Sequence, residues 1–168
     1  MRKEQIRTRR VALLGILAAL TLTLSFLESL LPPLPYLPPG AKPGLANIAV
    51  LFTALSLDWS AALALTLLKA MFALVTRGTT AALLSLAGGL LSTGVMLLLL
   101  RVPKLGLLGV SILSAVAHNA GQLLAACVLM GTSKLAVAAP VLLVFSLLAG
   151  ALTGTVSKIL LPVLSREE

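Results

Sequence analysis

Six apolar runs separated by short breaks cover most of this chain: residues 11–31, 44–57, 59–76, 79–100, 106–130 and 140–161. A helix needs about 20 mainly apolar residues to cross a hydrocarbon core roughly 30 Å thick. In that medium each backbone N–H and C=O must be satisfied within the protein, which leaves helices and closed barrels. Continuous runs of this length, without period-two alternation, select helices. The composition agrees: 59% of the residues are hydrophobic and 11% charged, against about 25% charged in soluble domains. The expectation is an all-α integral membrane protein with six transmembrane helices, forming one membrane domain over residues 1–168. The run 44–57 is short for a full span, so it is either tilted or partly re-entrant. Between the first two runs, Pro32, Pro33, Pro35, Pro38, Pro39 and Pro43 remove so many donors that residues 32–43 should be irregular. Residues 131–139 read as an external loop or short surface helix, with Pro140 in the first turn of the last span.

The net charge of +8 invites a nucleic-acid reading, but the cations are placed for topology. Arg2, Lys3, Arg7, Arg9 and Arg10 precede the first run, as on a cytoplasmic flank. No nucleic-acid partner is expected. The run 11–31 is too long for the core of a signal peptide. With the N-terminus inside, Arg101, Lys104, Lys158 and Arg166 join the inner side, making nine cations there. Only Lys42, Arg77 and Lys134 fall outside. Nine against three puts both termini in the cytoplasm. Trp59 then lies at the inner interface.

That topology gathers the polar residues of the spans. Lys69 is eight residues from Arg77, about 12 Å deeper than the outer end of its helix. His118 is twelve residues from Met130, about 18 Å down, near the midplane. Asn119 and Gln122 accompany it, and His118 and Gln122 share a helical face. Glu28 lies near the outer end of the first span, and Lys42 and Asn47 flank the start of the second. Polar groups at bilayer depth are costly and usually face a protein interior or a cavity. An outward-facing pocket contacted by Lys42, Asn47, Lys69, His118, Asn119 and Gln122, with Glu28 and Arg77 at its rim, accounts for the asymmetry. Cations outnumber Glu28, which favours an anionic ligand.

Three pairs of small residues one turn apart, Gly15/Ala19, Ser85/Gly89 and Gly150/Gly154, permit close helix approach in lipid. Internal packing is expected of the second and third, and a partner-facing surface of the first. Chemistry is harder to find. There is no phosphate-binding Gly-rich loop, Asp58 is the single aspartate, and no paired carboxylates are available for acid–base work or magnesium-assisted diphosphate chemistry. Cys127 is the single cysteine and reads as a packed small hydrophobe. No metal site, no cofactor and no enzymatic activity are expected.

Three stretches together resemble one bacterial family. Pro39-Gly-Ala-Lys42-Pro-Gly44-Leu-Ala-Asn47, Leu84-Ser-Leu-Ala-Gly88-Gly89-Leu-Leu-Ser92 and Ala115-Val-Ala-His118-Asn119-Ala-Gly121-Gln122 are similar to motifs of the Gx transporter family, often labelled heptaprenyl diphosphate synthase component I. The resemblance implies a fold like the substrate-binding S components of energy-coupling factor (ECF) transporters, with a pocket capped by the first loop. It implies partners: a transmembrane coupling protein and two cytosolic ATPases in the bacterial cell membrane. It also implies docking through small residues of the first helix, here Gly15 and Ala19, with Gly where Ala is usual. Two functions remain: capture of a small anionic or quinone/isoprenoid-related molecule for import, or a membrane subunit of a prenyl diphosphate synthase. The topology predicts that single cysteines introduced at Lys42 and Lys104 label from opposite faces of the membrane. Labelling of both from the same face overturns it.

Overall fold

In the computed structural model, residues 2–30, 42 and 44–165 are described, with side chains for most of them. Six α-helices follow in order: α1 (Arg2–Leu30), α2 (Asn47–Ser56), α3 (Trp59–Arg77), α4 (Thr79–Leu99), α5 (Leu107–Met130) and α6 (Ala139–Ser165). A 3₁₀ turn at Ser133–Ala138 joins the last two. There is no strand among the described residues. Five of these helices are long and apolar enough to cross a membrane. The sixth, α2, has 10 residues, about 15 Å of helix, half a bilayer core.

Helix α1 starts at Arg2 rather than at residue 11, so the basic flank is itself helical. The reason is local: Arg, Lys, Glu and Gln are good helix formers, and Glu4 sits in the first turn, where a negative charge suits the helix dipole. The expected irregular segment at 32–43 lies, apart from Lys42, outside the described residues. Helix α6 starts one residue before Pro140 and continues past residue 161 to Ser165.

Helix α5 packs between α4 and α6, and α4 also lies on α3. In lipid no hydrophobic force pulls helices together, so small residues that admit close approach matter most. A Cβ added at Gly121 would meet the Ala87 carbonyl oxygen at 2.9 Å, and one at Gly88 would meet the His118 carbonyl oxygen at 2.7 Å. On the other side of α5, a Cβ at Gly150 would lie 2.5 Å from the Ile112 Cα, and one at Gly154 would lie 2.9 Å from the Leu108 Cα. The Gly150/Gly154 pair therefore packs internally. So does Ser85/Gly89, both buried, with Gly89 against Thr66.

Helix α1 is different. Its buried stripe is Leu17, Thr21, Ser25 and Glu28, spaced one turn apart along one face. Gly15 and Ala19 are exposed, and nothing lies within 4 Å of a Cβ added at Gly15. Helix α2 is buried on most sides through Asn47, Ala49, Val50, Leu51, Phe52 and Thr53. Leu51 and Val50 join Leu17, Leu65, Met96 and Val110 in the apolar core of the bundle.

Asp58 ends the α2–α3 turn. It caps α3 by accepting from Ala61 N at 2.8 Å, accepts from Ser60 Oγ at 2.6 Å, and pairs with Arg10 of α1. These hydrogen bonds, Ser60 first, hold its carboxyl below the usual aspartate range, with a smaller contribution from Arg10. Stability from a depressed carboxyl is present above its unfolded pKa and fades as pH falls through the folded value. Asp58→Ala should therefore destabilise by about 1 kcal/mol at neutral pH, an N-cap loss, and by less in acid. Gly150→Val should cost about 1–3 kcal/mol by overpacking, while Gly15→Ala should leave the melting temperature unchanged. Thermal unfolding in detergent checks all three.

Candidate functional site

The chain enters α2 through a turn that brings three elements together. Gly44 has φ +87°, a conformation that glycine adopts without strain. A Cβ there would also meet His118 Cδ2 at 2.8 Å and Asn47 Nδ2 at 2.9 Å. The turn is thus pressed directly on α5. The next residue, Leu45, donates its N–H to the Glu28 carboxylate of α1. No side chain of its own caps α2, so Glu28 supplies both an acceptor and a negative charge at that helix N-terminus.

Asn47, in the first turn of α2, faces α3. Its Oδ1 accepts from Lys69 Nζ at 2.8 Å, and both residues are buried. On α5, Gln122 holds the backbone of Lys42 from both ends. The Lys42 N–H donates to Gln122 Oε1 at 3.0 Å, and Gln122 Nε2 donates to the Lys42 carbonyl at 3.1 Å. The same Nε2 lies 2.6 Å from His118 Nε2. Reversing the amide would set two carbonyl oxygens against each other. The orientation is therefore fixed, His118 Nε2 accepts, and the imidazole is neutral with its proton on Nδ1.

Glu28, Lys42, Lys69, Arg77, His118 and Gln122, with Ser85 of α4, line one small cavity of about 10 Å³, room for about one water. Glu28 is 3% exposed, so it lies inside the cluster rather than at its rim. Arg77, also expected at the rim, is half-buried, and its Nε and Nη1 are buried without a hydrogen-bond partner among the described residues. Burial first, and then the Arg77 guanidinium, holds the Lys42 amine below the usual lysine range, with Glu28 acting in the opposite sense.

Asn119 does not join this cavity. Its Nδ2 donates to the Leu142 carbonyl at 3.2 Å and to Ser146 Oγ at 2.8 Å, which ties α5 to α6. Asn47 does not line the charged cavity itself, but reaches it through Lys69. It lines a second cavity of about 10 Å³ with Ser111, Ser114 and Thr153, between α2, α5 and α6. Sequence reading passed over these hydroxyls and took Ser85 only as a packing residue, because Ser and Thr are ordinary in membrane helices. Ser114 bonds the Val110 carbonyl one turn back at 2.7 Å, whereas Ser111 donates across to the Gly150 carbonyl of α6 at 2.7 Å. Among the described residues, no group of three or more His, Cys, Asp or Glu is placed to hold a metal ion.

Removing one partner from a buried charged hydrogen bond leaves the other unsatisfied. Asn47→Leu should therefore destabilise by about 3 kcal/mol, and Lys69→Met added to it should restore part of that loss. A double-mutant cycle on melting temperature measures the coupling, and strict additivity would contradict the contact.

No curated protein matches the chain, and no solved structure does. Residues 17–160, which include both helix α5 with His118 and Gln122 and the turn from Gly44 to Asn47, match the family described as heptaprenyl diphosphate synthase component I, and the chain belongs to that family.

Proposed function

We propose that this chain is the substrate-capture subunit of an ECF-type importer in the bacterial cell membrane, with both termini in the cytoplasm. It takes up a small anionic or quinone/isoprenoid-related molecule from the outer side. The observation that carries this reading is the buried cavity where Lys42, Lys69 and Arg77 meet around a single carboxylate, beside the ends of α1 and α3. Charges are held there at a cost, and burial of this kind marks ligand pathways. Lys69 has two further N–H donors beyond its bond to Asn47, and Arg77 has two unpartnered ones. Both are available to oxyanion oxygens.

The proposed subunit has no energy source of its own, so transport falls to partners: a transmembrane coupling protein and two cytosolic ATPases. The uncovered Gly15 and Ala19 face of α1 supports docking of the coupling protein, because bulky side chains would hold two helix backbones apart. The reading assigns the chain no catalysis, since the cluster offers one carboxylate and no paired acid and base. The family description favours a second reading, a membrane subunit that associates with a soluble prenyl diphosphate synthase.

Co-purification separates the two, with a coupling protein and ATPases supporting the first and a synthase subunit the second. Ala19→Leu and Gly15→Val should abolish uptake while ligand binding to the purified chain stays within about twofold, because surface changes seldom exceed ±0.5 kcal/mol. Lys69→Ala and His118→Ala should weaken binding itself. Parallel loss of binding and uptake in the Gly15 variant would identify that face as internal packing.

A further inference from the structure

The first turns of α1, from Arg2 to Arg10, hold five cations and one acid, Glu4. They stay helical and carry α1 about 13 Å past the start of its apolar run at Val11. Glu4, Gln5 and residues 7–12 are exposed, so the bundle does not cover this extension. Arg10 ties it down by pairing with Asp58 at the start of α3. Arg7 and Arg9 make no ion pair among the described residues. Arg7 and Arg10 are three residues apart on one face, a spacing at which like charges repel.

The same end of the bundle carries further cations. Gly78 alone joins α3 to α4, so α4 ends where α3 begins. Leu100 and Leu105, which bound the α4–α5 turn, pack on the same apolar core as Leu13 and Leu14 of α1. Arg101 and Lys104 of that turn are exposed. Lys158, one turn beyond the contact of Gly154 with Leu108, is exposed too. The field at this end is therefore of one sign, and Asp58 is already engaged by Arg10 and the α3 cap.

Trp59 marks the level of the membrane surface here. It follows Asp58, and so lies beside Arg10, and it is 64% exposed. An exposed indole at the end of a span belongs in the headgroup layer. That layer is roughly 5–8 Å deep on each side, half the difference between whole bilayer and hydrocarbon core. Arg10, Arg9 and Arg7 rise about 2–6 Å from Val11 along the helix. They lie within the layer, and not in the water beyond it where a soluble partner would meet them. Topology accounts for the side on which cations sit, but it leaves them uncovered once the chain is inserted.

We infer that this end of the bundle is a binding surface for anionic phospholipid, with headgroup phosphates taken by Arg7 and Arg9 beside Trp59. The inference is independent of the capture reading and of which membrane face the termini occupy. Arginine keeps its charge and offers several N–H donors to phosphate oxygens. Each cation near an anionic surface is worth about fivefold in affinity. Zwitterionic phosphatidylcholine carries the same phosphodiester, but its own choline offsets the charge, so the surface distinguishes it from phosphatidylglycerol.

Trp59 is the single tryptophan of the chain, and it serves as a native reporter. The full-length protein is reconstituted at about 50 mM salt into vesicles of equimolar phosphatidylglycerol and phosphatidylcholine. The acyl chains of one lipid are brominated in one preparation, and those of the other in a second, because bromine quenches indole fluorescence on contact. The relative quenching should correspond to a preference for phosphatidylglycerol of at least about fivefold, the share of one cation. Raising salt to about 500 mM cuts the screening length to a few ångström and should bring the preference within about twofold. Arg7→Gln combined with Arg9→Gln should do the same at low salt, whereas Arg7→Lys combined with Arg9→Lys should keep most of it. Thermal melting in detergent shows whether the variants are folded, and the salt series on the unaltered protein decides the matter if they are not. Equal quenching by the two lipids overturns the inference, and so does a preference that survives high salt. Equal quenching together with a soluble acidic protein that co-purifies with the unaltered chain, and is lost from the Gln variant, gives the surface to that partner instead.

Discussion

A lysine buried among apolar helices cannot be left alone. The ammonium of Lys69 would cost several kcal/mol to strand in a hydrocarbon environment, and one end of this bundle is arranged around that constraint. Asn47 gives it an oxygen, and Glu28 supplies a countercharge in the same cavity. Both residues are tied to one short turn. Asn47 begins α2, and Glu28 receives the Leu45 N–H just before it. The half-length helix α2 is therefore placed by polar contacts at its N-terminus as much as by apolar packing at Leu51 and Phe52.

The second element of the site is set by backbone proximity. Gly88 and Gly121 let α4 and α5 touch so closely that no Cβ fits between them. This places His118 and Gln122 against the Gly44 turn, where another glycine again leaves room. Gln122 then spends its whole amide on Lys42 and His118. The most conspicuous polar motif of the chain is thus largely structural as it stands. Asn119 clamps α6, and Gln122, bonded to His118, holds the Lys42 backbone. The groups with donors to spare are Lys69 and Arg77.

The same division runs along α1. Its buried stripe turns polar toward the C-terminal end of the helix, through Thr21, Ser25 and Glu28, while Gly15 and Ala19 stay on the uncovered side. One helix therefore reaches the charged cavity with one face and leaves the other free. A change at Glu28 that shifted α1 would be felt on that uncovered face as well.

Sequence alone was enough for the helices, because length and hydropathy in lipid leave few alternatives. The runs at 59–76, 79–100 and 106–130 match α3, α4 and α5 to within a residue or two. It was also enough to gather Lys42, Lys69, His118 and Gln122 at one end, since rise per residue fixes depth. It could not fix direction around each helix axis, nor distinguish a side chain that offers its donors from one that has used them. Glu28 lies close to a helix end and read as a rim residue, yet tertiary packing buries it under the α2 turn. Asn119 adjoins His118 in sequence, yet about 100° of helical rotation turns it onto α6. Which polar groups remain unspent is decided by contacts between residues up to 80 positions apart, and no local pattern encodes those.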